Sequence, residues 1–478
     1  MSEEKLREFQ SVFYPQSIAV VGVSQDGSKA SSLFFGNLVK VGFKGRLYAV
    51  NPKGGEILGF KIYPNLESIG EPVDYALISV ASSAIPSAIQ DCVAKGVKVM
   101  HLFTAGFSET GTEEGKRLED EIVSKVRHTG VRLIGPNCIG VYSPRSCMPL
   151  RPWDTFIGEI GCVGFISQSG GQAINLVVEG RNRGIGFSKG VNYGNGVDLN
   201  ESDFLEYLAV DSETGVIAAY IEGVKDGQRL LRVLREATKT KPVVVWKAGR
   251  TESGARAAAS HSGSLAGSEA IWAVALRQSG TVRAENFEEL IDTLIAFQNL
   301  PPLRQIRLAV IGGLYDGAGG FSVAATDACA DLGLSVPQFS AETRGKLEAI
   351  IPSAGTIRQN PIDTGGASIT DLKVLQQIFK LVVADDETNL VLLNEPMEVI
   401  LAHIPKETAE ALHDTIIELS SKKPFVIIST PGSAETERLL VEKFVQAKLP
   451  VYSTVERAAK AITNFTQYWQ FRHSLDKG

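Results

Sequence analysis

The chain lacks the patterns by which many chemistries are recognised. Its five cysteines, Cys92, Cys138, Cys147, Cys162 and Cys329, include no CxxC pair. That excludes a disulfide framework and a cysteine-based zinc site, and no metal ligand set is expected. No GxxxxGK[ST] occurs, so there is no P-loop for a nucleoside triphosphate. HExxH is also missing, which removes the zinc hydrolases that carry it. The N-terminal MSEEKLREFQ is acidic where a secretory signal would be basic, and no run approaches the ~20 apolar residues that span a bilayer. Basic charge is not in excess: 48 Lys and Arg face 54 Asp and Glu, and no basic stripe marks a nucleic-acid binder. At 21% charged and 44% apolar residues the chain is not a disordered one. A soluble, cytoplasmic protein with neither nucleic acid nor membrane as a partner is predicted.

What the chain does have is glycine, 47 residues in 478, and length. At about 150 residues per domain the length predicts about three domains. Short β-branched runs recur at SIAVVGVS (17–24), GRLYAVNP (45–52), DYALISV (74–80), VKVMHLF (97–103) and VRLIGPN (131–137). Each is nearly continuously apolar, as strands buried on both faces of a parallel sheet are. Helix-length amphipathic segments separate them, so residues 1–142 read as a doubly wound α/β domain. A linker follows, and then a second series through GCVGFISQSG (161–170), GVIAAYIEG (215–223) and KPVVVWKAG (241–249). It closes on a helix near 285–297, which gives a domain over 157–299. A third domain, 303–470, begins after Pro301-Pro302 and echoes the second: KPVVVWKAGRTESG (241–254) parallels KPFVIISTPGSAET (423–436).

Candidate chemistry lies where these strands end. Gly22 and Ser24 follow the first strand on a turn that exposes backbone N–H groups and a helix N-terminus. The full GxGxxG of a dinucleotide binder is absent, so a nicotinamide-dependent oxidoreductase is disfavoured. Asn51-Pro52-Lys53 ends the second strand and GPNCIG (135–140) the fifth, which brings three strand ends to one crevice. SQSGG (167–171) also joins a buried strand to a helix and suits a phosphate-sized anion. His261 lies in SHSGSLAG (260–267), between small residues that bury an imidazole poorly, as a nucleophilic or phosphorylated histidine requires. Glu222, at a strand end, could orient it.

These pieces together resemble the α portion of the NDP-forming acyl-CoA synthetases, which include succinyl-CoA synthetase and the ADP-forming acetyl-CoA synthetases. The matching motifs are FYPQSIAVVGVS, NPK, GPNCIGV, SQSGG, YGNGVDLNESDFLEYLAVD, YIEG, KPVVVWKAGR and SHSGSLAG, in family order over about residues 9–297. The third domain resembles the ADP-forming enzymes more than the two-domain succinyl-CoA synthetase α subunit. The resemblance implies a Rossmann-like CoA-binding domain followed by two flavodoxin-like, doubly wound domains.

It also implies roles. CoA would contact Gly22, Ser24, Lys53, Val80, Ala81, Asn137 and Cys138. Phosphate would be held at Ser167, Gln168, Ser169 and Gly170, and His261, held by Glu222, would carry the phosphoryl group between acyl phosphate and ADP. Nucleotide and Mg would bind an ATP-grasp domain, for which no domain-sized segment remains, so a separate β subunit is the expected partner. The inserted Tyr315-Asp316 in the third domain departs from the family's shorter glycine-rich loop. The acyl group is not legible. The alternative is a non-catalytic CoA- or acyl-CoA-binding regulatory protein on the same fold, which would need only the first domain's residues.

Overall fold

A computed structural model describes residues 2–152, 158–262, 267–314, 319–366, 371–429 and 434–475, without the side chains of 2 and 259–262. Tyr315 and Asp316 fall outside the described residues. Two compact units divide the chain, Met1–Glu285 and Asn286–Gly478. Among the described residues no helix is long and apolar enough to cross a membrane.

The first unit holds two sheets. The first contains β1 (Ser17–Val21), β2 (Arg46–Val50), β3 (Gly55–Ile57), β4 (Phe60–Tyr63), β5 (Tyr75–Ile78), β6 (Val99–Leu102) and β7 (Arg132–Ile134), in the order β3-β4-β2-β1-β5-β6-β7. All neighbours are parallel except the β3–β4 hairpin. Counting the parallel strands alone gives the Rossmann order, whose direction reverses between β1 and β5. The apolar runs become central strands because both faces are covered: all four residues of β5 are buried. The β3–β4 hairpin has no counterpart in the sequence reading, since it is short and half-exposed.

The second sheet contains β8 (Gly140–Tyr142), β9 (Ile160–Ser167), β10 (Phe187–Asn192), β11 (Val216–Ile221), β12 (Val243–Lys247) and β13 (Val282–Ala284), ordered β13-β12-β11-β9-β10-β8. Its five parallel strands follow the flavodoxin order, with β8 added antiparallel to β10. One continuous apolar core runs beneath both sheets, from Phe9 and Ile18 through Tyr207 to Trp272.

The second unit repeats this design with β14 (Leu308–Gly313), β15 (Ile357–Arg358), β16 (Ile362–Asp363), β17 (Leu390–Asn394), β18 (Phe425–Ile428) and β19 (Val451–Tyr452). The order β15-β16-β14-β17-β18-β19 again puts an antiparallel strand beside the second parallel one. The helix Phe287–Asn299, read from sequence as the close of the second series, packs within this unit on the long helix Val455–Leu475. Asp292 and Glu289 explain why: Arg457 is paired with Asp292 at 2.7 Å and Asn464 donates to Glu289 at 2.9 Å.

A network of charged groups is buried deep in the first unit. Lys189 of β10 has a fully buried side chain, 2.7 Å from Asp211 and 3.0 Å from Glu213. Its ammonium faces the rings of Phe13, Tyr14 and Tyr207 and donates to the Tyr14 hydroxyl, tying the end of helix Ser2–Phe13 to the second sheet. Removing one partner from such a group strands the other charge. Lys189→Met is therefore expected to lower unfolding stability by about 3–5 kcal/mol, read by urea titration, whereas an exposed control such as Lys239→Met should shift it by under ~0.5 kcal/mol.

Candidate functional site

The carboxyl ends of the first two sheets open on one cavity of about 830 Å³. Its walls come from the ends of β1, β2, β5 and β6, from the loop after β7, and from the turn after β9. Of the residues predicted from sequence, Gly22, Val80, Ala81, Asn137, Cys138, Gln168, Ser169 and Gly170 line it. Gly22 has φ +103°, and a Cβ there would strike the Ser79 carbonyl, so only glycine lets β1 and β5 part at this close approach. Ser31, just inside helix Ala30–Lys40, donates to the Gly22 carbonyl at 2.7 Å and ties the turn to the helix start. Thr104 donates to the Val80 carbonyl at 2.7 Å, and its own carbonyl accepts from the Asn137 N–H at 3.0 Å.

Other predicted residues stand elsewhere. The Ser24 hydroxyl donates to Asp26 at 2.7 Å, which helps to hold that exposed carboxyl below its ordinary range. Lys53 is exposed and absent from the lining, while Asn51 and Pro52 line it; Lys29 is the cationic side chain there among the described residues. Cys138 contributes backbone rather than a reactive thiol. Its sulfur is buried against the Leu102 carbonyl at 3.4 Å, and burial pushes the thiol well above its usual range.

The anion-sized turn is built at the start of helix Gly170–Asn182. Ser169 caps it by accepting from the Gln172 N–H at 3.5 Å, so its own O–H remains a donor. The Ser167 hydroxyl instead donates to the Ser169 carbonyl at 2.6 Å and shapes the turn. Gln168 turns its side-chain carbonyl to the N–H groups of Glu222 and Gly223, at 2.9 and 3.1 Å. It thereby joins the ends of β9 and β11, the point at which the second sheet reverses direction. Glu222 is buried, and its carboxylate accepts from the Tyr220 hydroxyl at 3.3 Å; burial, aided by Glu222, pushes that phenol far above its usual range.

His261 lies in the last turn of helix Glu252–Ser262, and its side chain is outside the described residues. The small residues of 260–267 predict a loop, yet the helix continues through Ser262. The alanine-rich stretch before it favours helix, with Glu252 and Arg256 paired at 2.8 Å one turn apart. This helix lies beside the 3₁₀ turn Ser108–Thr110, which follows β6.

Three contributors escaped the sequence reading: Lys29, Asn192 and Lys247. Asn192 accepts from the Ile139 N–H at 2.6 Å and donates to the carbonyls of Ser167 and Gln168 at 3.0 Å each. A polar residue ending a buried strand, in GVNYG, was the available signal. Lys247 ends β12, donates to the Glu222 carbonyl at 2.8 Å and to the Ala248 carbonyl, and faces the Trp272 ring.

Comparison with known proteins fits this geometry. A family profile described as a CoA binding domain matches residues 16–144, and one described as a succinyl-CoA ligase like flavodoxin domain matches 160–297. Together they define a CoA-binding protein with a succinyl-CoA ligase-like module. The α subunit of ADP-forming acetate–CoA ligase I from Pyrococcus furiosus is 35% identical, over 97% of this chain and 99% of that protein. ADP-forming acetate–CoA ligase I from Archaeoglobus fulgidus is 39% identical over 80% of this chain, which spans only 54% of that longer protein. A dinucleotide-forming acetyl-coenzyme A synthetase 1 from Ca. Korarchaeum cryptofilum, solved with phosphate and ADP, superimposes with a TM-score of 0.87 at 32% identity, covering 98% of both chains. The chain belongs to the family of ADP-forming acyl-CoA ligases that these α subunits represent.

Burial pushes the Lys247 ammonium down to about 8, with Glu269 and Glu222 opposing the fall. An unfolded lysine keeps its proton to about 10.4. Between pH 8 and 10 the unfolded chain therefore binds more protons, and this group makes stability rise with pH across that window. Urea titrations at pH 7, 8, 9 and 10 should show a shallower rise for Lys247→Met than for the wild type; parallel curves would refute the assignment.

Proposed function

We propose that the chain is the α subunit of an ADP-forming acyl-CoA synthetase, interconverting acyl-CoA, ADP and phosphate with a carboxylic acid, CoA and ATP. The observation that carries this reading is the single cavity that joins the Rossmann reversal point at Gly22 and Val80 to the helix N-terminus at Gln168–Gly171. A binder of CoA alone would have no use for the second end. CoA would lie along the first sheet's carboxyl edge, with Lys29 as the side-chain cation for its phosphates and Ser24 and Lys53 at the rim. Asn137 and Cys138 would flank its sulfur end.

Phosphate would sit at Ser169 and Gly170, where helix amides and a hydroxyl proton face negative charge. A phosphate oxygen attacks the acyl carbonyl; the C–O bond forms, the C–S bond breaks and CoA leaves as the thiol after protonation. An imidazole nitrogen of His261 then attacks phosphorus, the P–O bond to the acyl group breaks, and the carboxylate departs. Phosphohistidine finally passes the group to ADP. The protein's part is to position and to stabilise charge, which fixed backbone dipoles do without reorganising. Glu222, fixed through Gln168 and Lys247, would hold the imidazole.

Relatives named α subunits imply a partner subunit. We assign to it an ATP-grasp domain carrying ADP or ATP and Mg, and the cytoplasm as the compartment where CoA and ADP meet. Incubation of the chain with acyl-CoA and radiolabelled phosphate should give an acid-labile, base-stable label on His261. His261→Asn should abolish the label with CoA affinity unchanged, and Glu222→Gln should lower the labelling rate by at least ~10-fold. A label mapped elsewhere, or none at saturating substrate, would overturn the reading.

A further inference from the structure

Ile139 stands where the two ends of the cavity meet. It follows Asn137 and Cys138 directly, and its N–H is held by Asn192 at 2.6 Å. At the other end of its side chain, a Cβ placed on Gly170 would lie 2.7 Å from the Ile139 Cδ1. The side chain thus spans from the backbone beside the sulfur end of CoA to the first residue of the anion-binding helix. An acyl carbon under attack by phosphate must lie between those two places.

Behind Ile139 is a second, smaller space. A void of about 20 Å³, room for about one water, is lined by Phe34, Tyr75, His101, Val141 and Met148 among others. Its polar members, His101 and Tyr75, are neutral at physiological pH: burial pushes His101 down to about 4 and the Tyr75 phenol well above its usual range, and the His101 ring nitrogen is 3.1 Å from the Cys138 carbonyl. Among the described residues Ile139 alone lines both this void and the large cavity. It is the wall between them.

We propose that Ile139 sets the length of acyl chain the site accepts, by closing the gap between thioester and phosphate off from the apolar void behind it. This rests on the reading of the cavity as an acyl-CoA and phosphate site. With the wall in place the acyl group is short; with it removed, the aliphatic space joins the void and a longer or branched chain gains apolar surface to bury. A methylene accommodated or refused in an apolar pocket is worth about 10- to 200-fold in discrimination.

The test compares rates of His261 labelling by phosphate from acetyl-, butyryl- and isovaleryl-CoA, with CoA affinity measured separately by calorimetry. For Ile139→Ala the ratio of isovaleryl to acetyl rate is expected to rise at least ~10-fold, with CoA affinity within about twofold of wild type. Ile139→Phe, which fills the gap, should lower that ratio while acetyl-CoA remains a substrate. Should Ile139→Ala fail to fold, Ile139→Val must move the ratio upward by a few-fold, since it too shortens the wall. A wild type labelled normally but with the ratio unmoved in all folded variants would overturn the proposal. A wild type labelled from no acyl-CoA would instead overturn the functional reading on which it rests.

Discussion

One carboxamide holds the site together. Asn192 accepts a hydrogen bond from Ile139, in the loop that leaves the first sheet, and donates two to Ser167 and Gln168, in the turn that leaves β9. All three bonds are buried or nearly so, where an unmet partner costs ~1–3 kcal/mol. An aspartate could supply the acceptor but not the two donors, and a leucine of similar size could supply none of them. Backbone bonds from Asn195, Val197 and Leu199 to Pro136, Gly135 and Leu133 also join the two sheets, but Asn192 is the side chain that links Ile139 directly to the turn at Ser167 and Gln168. A displacement of about 1 Å at a reacting centre can cost on the order of 10²-fold in rate.

The second and third sheets show how one scaffold can carry unequal chemistry. Both have the flavodoxin order with an antiparallel strand beside it, and in both a glutamate follows the third parallel strand, Glu222 after β11 and Glu395 after β17. Gln168, which follows β9, ties that strand's end to the Glu222 backbone. Leu314, which follows β14, has no polar group with which to do the same. Both glutamates are buried, and Glu395 lies 3.4 Å from the His413 ring. The strand order thus repeats the position, while the residue one step beyond the first parallel strand decides whether a side chain can tie that glutamate's backbone down.

How far all this was legible in the sequence follows from the same division. Central parallel strands are buried on both faces and leave continuous apolar runs, so β1, β2, β5, β6 and β9 could be read from composition alone. The β3–β4 hairpin could not, because its residues are few and partly exposed. Glycines at turns were legible, since Gly22 must adopt a positive φ beside β5. Side-chain targets were less so. Ser24 and Lys53 stand in the loops where they were expected, but the hydroxyl of the first donates to Asp26, and the second is exposed and does not line the cavity. Lys29, one residue before a helix whose dipole disfavours a cation there, is the cation that lines the cavity among the described residues.

That unfavourable placement is itself informative about how an acidic chain can hold a polyanion. Among the described lining residues there is one cation, Lys29, and one carboxylate, Asp91, so side-chain charge nearly cancels. The favourable potential has to come from elsewhere, and the helix starts at Ala30 and Gly170 both meet the cavity. Backbone dipoles cannot be screened by rearranging side chains and need no compensating charge in the empty protein. A site built from lysines would repel itself until filled and would also attract nucleic acid. Amides at helix ends avoid both, and they leave the chain's net charge of −6 free to serve solubility.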